Sequence, residues 1–434
     1  MGSMSQSLDI VIVGAGLSGL AASIQCALSG HSVTVLEGAR QLAEIGAGLQ
    51  LTPNATRLLQ TWGVYDTVRD RVCEPVNLTV YNYQGKVLAH EANFDQNIRR
   101  KYNAPFSDCH RVDLQQALVE RARALGVDVV LNAKVSKIDF GTESGSEATI
   151  TTEAGQGYVA DLVVGADGLW STCRSNMLGK RDPPLPTGDL AYRIVLTIDQ
   201  IQDPKLREMV ENPACRFWAG PDAHAVAYSL RGGKMYNVVL LVPDDLEEGV
   251  ARTEGSVDEM KKLFDGWDPV LTQFLSCVDK VDKWKLMHRE EMPSWINSQN
   301  NLVLIGDSCH PMLPYLAQGA NSSIEDGAVL GLLLAPKHFR QKSQLPETLQ
   351  LFQQVRKARG EGIVRETFKQ RKDFHMRDGE EQERRDKLML GMLGQELKGP
   401  FPSRWTCPEV QPWLYGYDAE KEVEAAVAAV AARK

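Results

Sequence analysis

The apolar run 10–13 leads directly into Gly14-Ala15-Gly16-Leu17-Ser18-Gly19, and no other stretch of the 434 residues constrains the fold as tightly. The run reads as a strand, and Leu20, Ile24 and Leu28 then recur at helical spacing until Gly30 stops them. A second apolar run, 32–36, ends at Glu37. Strand, glycine turn, helix and strand in this order predict a parallel α/β unit, whose glycines let the backbone approach a pyrophosphate at a helix N-terminus. Glu37, about 20 residues downstream, is placed to accept from ribose hydroxyls and would repel a 2′-phosphate. Gly14, Gly16, Gly19 and Glu37 are the first candidate site residues.

Composition removes several classes of function. A net charge of −8 argues against a nucleic-acid surface, which needs a basic face. The eight cysteines show no CxxC spacing, so they read as reduced thiols in a cytoplasmic setting, with neither a disulfide frame nor a metal site. No run approaches the roughly 18 apolar residues of a membrane span.

Further chemistry-bearing segments follow along the chain. His110-Arg111 opens a helix over 114–125; Gly165-Ala166-Asp167-Gly168 follows a strand over 158–164; Gly306-Asp307 follows a strand over 301–305. Gln318-Gly319-Ala320-Asn321 then starts a helix with Ile324, Ala328 and Leu332 on one face. An uncapped helix N-terminus carries free amide donors and partial positive charge. Between these segments lie hairpins over 78–88 and 223–242 and strands over 192–197 and 216–218, enough for a sheet that walls a pocket. His224 and Tyr228, four apart in a strand, share one face about 13 Å apart. The expectation is an α/β fold: a Rossmann-like domain from 8–76, 106–184 and 296–335, an inserted β-sheet substrate domain from 77–105 and 185–295, and a C-terminal helical segment, 336–434. The charge run 356–387 reads as a solvated helical face.

In this order and spacing the segments resemble the single-component FAD-dependent aromatic hydroxylases of the p-hydroxybenzoate hydroxylase fold. The branch most resembled is that of salicylate hydroxylase and 3-hydroxybenzoate 6-hydroxylase, with its fungal relatives, over roughly 8–335. The resemblance assigns Arg111, Asp167 and Asp307 to FAD, together with Gly319 and Ala320 at the helix start and the loop Gly46-Ala47-Gly48. It makes His224 the base for a phenol and Tyr228 a substrate contact. Arg193, in Ala191-Tyr192-Arg193, is implied in pairing with a substrate carboxylate or phenolate and in catalysis, while Pro314 and Gln318 would line the pocket. Only one dinucleotide fingerprint is present, so NADPH or NADH would dock transiently as electron donor.

The activity implied is hydroxylation of a salicylate-like phenolic acid by NAD(P)H and dioxygen through a 4a-hydroperoxyflavin, with decarboxylation where the attacked carbon bears the carboxylate. Two other readings stay open. One is flavin monooxygenation of a larger secondary metabolite by dearomatisation or epoxidation; the other is a nicotinamide dehydrogenase or a dinucleotide-binding protein without turnover. Cys309-His310 is set aside as a nucleophile and base, because sequence neighbours face apart and no orienting third group is visible.

Overall fold

The computed structural model describes residues 6–42 and 47–433, so Gly46 of the glycine loop lies outside the described residues. Two sheets organise the chain. The first is parallel and five-stranded, in the order Leu302–Leu304, Leu162–Gly165, Asp9–Val13, Ser32–Leu36, Asp128–Val130. Helix Leu17–Leu28 packs backbone to backbone against helix Gln318–Leu333. A Cβ on Gly327 would overlap Ala22, and one on Gly331 would come within 2.6 Å of Gln25.

The single strand expected over 158–164 is two strands in different sheets. Gly157–Ala160 pairs in an antiparallel three-stranded sheet, whereas Leu162–Gly165 joins the parallel one. Asp161 makes the step: its N–H donates to the Asp9 carbonyl at 2.9 Å, and its carboxylate accepts from the Asp9 N–H at 2.8 Å. The run hides the break, because both halves are rich in strand-forming residues; only Leu162–Gly165 is buried throughout, while Val159 in the first half is exposed.

The second sheet has eight strands, in the order Arg252–Gly255, Val281–His288, Leu185–Thr197, Met235–Pro243, Ala223–Leu230, Ala214–Gly220, Asn77–Asn82, Val87–Glu91. Its residues alternate between two faces. Ala225, Ala227, Tyr236, Val238 and Leu240 enter a core against Phe264 and Phe274. The interleaved His224, Val226, Tyr228, Val239 and Leu241 face an open cavity.

The solvated face expected for 356–387 is corrected in part. Helix Leu345–Phe374 buries Arg356 completely and Arg359 almost so, because they pair with the equally buried Glu325 and Asp326. Beyond this helix, Phe401, Trp405 and Tyr415 pack with Phe94, Phe106 and Phe217, closing the C-terminal segment over the end of the eight-stranded sheet.

Candidate active site

A cavity of about 280 Å³ lies between the C-terminal ends of the parallel strands and the inner face of the eight-stranded sheet. That crevice is where open α/β sheets bind ligands. Gly16, Ala166 and Asp307, each just past a parallel strand, line its floor.

The three glycines of the first turn do different jobs. Gly14 has φ +105°, and a Cβ there would meet the Ala166 carbonyl at 2.5 Å. A Cβ on Gly19 would overlap the Gly14 carbonyl, so that glycine holds helix to strand. At Gly16 a Cβ would meet nothing within 4 Å, leaving open space at the start of helix Leu17–Leu28, where a pyrophosphate fits. Glu37 is braced from both sides: one carboxylate oxygen accepts from Ala15 N–H and the other from Ala39 N–H, each at 2.8 Å. It therefore ties the glycine turn to the end of the second strand, and each oxygen keeps a further lone pair for a ribose hydroxyl.

Arg111 starts helix Arg111–Ala124, lines the cavity and makes no ion pair among the described residues. Asp307 sits deep among protein atoms yet turns its surface to the cavity. Burial raises its pKa, against the opposing pull of His310 and Arg111. Gly319 and Ala320 line the cavity at the start of helix Gln318–Leu333, whose N-terminus has no side-chain cap. Gly48 lies where a Cβ would come within 2.6 Å of the Tyr228 ring, so the absence of a side chain lets that tyrosine stand at the cavity edge.

Two expected site residues turn elsewhere. Asp167 accepts from Ser171 Oγ at 2.5 Å and Cys173 N–H at 2.9 Å, so its carboxylate shapes the turn into helix Thr172–Leu178 while Ala166 and Gly168 line the cavity. Gln318 is fully buried, donating to Thr52 Oγ1 at 3.0 Å and accepting from Asn54 at 3.1 Å, so it is not a lining residue. Pro314 does line the cavity.

On the sheet side, Arg193, Val239 and Val226 lie in one row across three strands. Arg193 thus stands two strands, roughly 10 Å, from the residue between His224 and Tyr228. Its guanidinium lies 4.7 Å from the Trp284 ring centroid and has no hydrogen bond or ion pair among the described residues. Burial and the Arg111 charge lower its pKa, so the cavity favours an anion beside it. Burial keeps the Tyr228 hydroxyl protonated, far above the ordinary phenol range. His224 is buried, with its pKa pushed well below 6.5 by burial and by His375, so its imidazole is neutral.

Several residues of the site carry no local signal in the sequence. His375 meets His224 at 2.6 Å between Nε2 and Nδ1. Trp405 closes the far end of the cavity with Phe217, its indole N–H donating to the Tyr315 carbonyl at 3.0 Å. Behind the Gly306-Asp307 turn, Asp326 accepts from Gly306 N–H, His310 and Arg356 at 2.6–2.8 Å. His310 therefore has the orienting carboxylate that the sequence does not reveal, but that bond holds the flanking turn. Cys309 lies apart, with its thiol directed to the Gly306 carbonyl.

A family model described as an FAD binding domain matches residues 7–367. The chain belongs to the FAD-dependent aromatic monooxygenases. The FAD-dependent monooxygenase OpS4 of Beauveria bassiana is 49% identical over 99% of both chains. A 3-hydroxybenzoate 6-hydroxylase of Polaromonas naphthalenivorans is 31% identical over 95% of this chain and 96% of its own. Among solved structures, a salicylate hydroxylase in complex with substrate shares the fold at TM-score 0.77 and 21% identity, covering 97% of this monooxygenase and 98% of its own chain. FAD suits the residues present: the open Gly16 cradle, the unpaired Arg111 and the cavity-facing Asp307 lie along one crevice. No helix among the described residues of the monooxygenase is long and apolar enough to cross a membrane.

Proposed function

We propose that this monooxygenase hydroxylates a single-ring phenolic carboxylic acid of the salicylate class. The observation that carries the reading is Arg193, a guanidinium without an anionic partner on the face that presents His224 and Tyr228. A substrate carboxylate paired with Arg193 sets the ring over Val226 and Val239 and brings a phenolic oxygen to His224. The neutral imidazole accepts the phenolic proton, and the Tyr228 hydroxyl donates to the substrate oxygen. Phe217, Leu241 and Trp405 keep water from the reacting ring. FAD would be held by Gly16 and the helix N-terminus behind it, together with Arg111, Asp307 and Glu37. When bound and reduced by NADPH or NADH, it supplies the activation of dioxygen.

The cavity would have to take part of the flavin as well as the substrate, so about 280 Å³ favours one ring over a large metabolite. The discontinuous Rossmann-like part, the sheet part and the C-terminal segment act as one unit here, because each supplies cavity residues. Seven of the eight cysteines are buried and none is disulfide-bonded, which suits a cytoplasmic setting. The test is product analysis with hydroxybenzoates and the matching phenols without a carboxylate. Ring-hydroxylated or decarboxylated diols from the acids alone support the reading; equal turnover of the neutral phenols rules it out.

A further inference from the structure

With a substrate filling the reaction cavity that His224 lines, a proton taken up by His224 must leave through its protein side. The residue is 3% exposed and is walled by the edges of Tyr315 and Phe374, at ring separations of 5.1 and 5.6 Å. Its Nδ1 lies 2.6 Å from Nε2 of His375, and its Nε2 has no hydrogen-bond partner among the described residues. His375 caps the C-terminus of helix Leu345–Phe374 and is only half-buried. It lines a second cavity, about 280 Å³, with Asp222, Arg371, Lys372 and Glu381, and the last-named lysine and glutamate are exposed there.

We propose that His224 and His375 form a two-imidazole proton wire from the reaction cavity to solvent at this outer cavity. The wire rests on the reading of His224 as the phenol's base. The phenolic O–H bond breaks as Nε2 of His224 takes the proton. Nδ1 of His224 releases its own proton to Nε2 of His375, and Nδ1 of His375 gives one to water. One proton crosses, and each ring ends neutral in its other tautomer. Reprotonation of the product's phenolic oxygen runs the path inward and restores both tautomers.

The surroundings suit passage rather than storage. From strand Leu185–Thr197, Asp189 faces His375, but Arg371 neutralises it through a two-pronged contact at 2.5 and 2.6 Å, and the Tyr315 hydroxyl donates to it as well. Asp222, from the turn before strand Ala223–Leu230, is paired with Arg377. Burial outweighs both carboxylates and pushes His375 down to about 4, so neither imidazole retains a proton at neutral pH.

The experiment measures proton release into a weakly buffered indicator dye when oxidised, FAD-loaded enzyme is mixed with salicylate, or with the hydroxybenzoate turned over fastest. Rates are taken per bound flavin. His375→Phe is expected to bind the acid within about twofold of the parent and to release the proton at least about tenfold more slowly. His375→Ala is expected to be equally slow and to recover with added imidazole. Parent-like release in both variants overturns the wire, as does slow release that imidazole does not restore. His224→Ala separates the two ideas. If it alone slows release, His224 is the base without a wire; if it too releases at the parent rate, the underlying reading of His224 fails.

Discussion

The guanidinium of Arg193 lies 4.7 Å from the ring centroid of Trp284, and Arg252 approaches the same ring at 4.3 Å. The indole thus holds a half-buried cation in place without neutralising it. Arg193→Met keeps the length and removes the charge. It should weaken binding of a hydroxybenzoate by about 10–100-fold, the range for one charge-assisted contact, while FAD content stays unchanged. Flavin absorbance titrations with the acid and with its decarboxylated analogue check this; equal loss for both ligands would mean that Arg193 shapes the cavity rather than pairing with a carboxylate.

The glycine turn separates binding from folding. Gly16→Ala points a methyl into the open cradle, so the protein should fold normally and bind FAD more than about tenfold more weakly. Gly19→Ala drives a methyl into the Gly14 carbonyl and should lower thermal stability even without flavin. Melting curves of apo and FAD-loaded protein distinguish the two.

The buried ionic cluster supports the flavin-side turn. Arg356→Met removes the guanidinium that bridges the completely buried Glu325 and Asp326, leaving Glu325 with Arg359 and Asp326 with His310, and should cost about 3 kcal/mol, seen in denaturant unfolding. Replacing only the exposed Arg365, which pairs with Glu291 at the surface, should cost under about 1 kcal/mol.

The histidines predict opposite pH trends. His224 and His375 have folded pKa values below the unfolded 6.5, so the unfolded chain binds their protons first and stability falls as pH drops below about 6.5. For His310, burial opposes the charge, but Asp326 outweighs it and raises the pKa, so its stabilisation is complete below about 6.5 and is lost as pH rises through the raised value. Because the cavity pair stays neutral, the acid limb of hydroxylation should lie well below pH 6.5. An acid limb centred at 6.5 or above would contradict the burial of His224.

The parallel unit was legible because strand, turn and helix are local patterns: period 3.6 in 20, 24 and 28, and glycines where backbone meets backbone. His224 and Tyr228 were legible because period two in a strand fixes the face without knowledge of the partner. Asp161 was not, since two adjoining strands of different sheets read as one strand-forming run. Gln318 was misplaced because the sequence shows where a helix starts but not which way its first side chain turns; the partners Thr52 and Asn54 lie more than 260 residues away. Arg356 and Arg359 are hidden at a shorter range, 30–34 residues from their partners. A charge run looks solvated unless the acids it meets are known, and Glu325 and Asp326 sit in another helix. His375 and Trp405 reach the site through tertiary packing alone.

The most direct measurement of the central claim, that His224 takes the substrate's proton beside Arg193, is the coupling of NAD(P)H consumption to hydroxylated product in His224→Asn. The variant keeps a polar side chain and lacks the imidazole base. The account predicts FAD content and acid binding near the parent, hydroxylation slowed by about 100-fold or more, and the consumed reductant appearing as hydrogen peroxide. Parent-like coupling and rate in His224→Asn would contradict it.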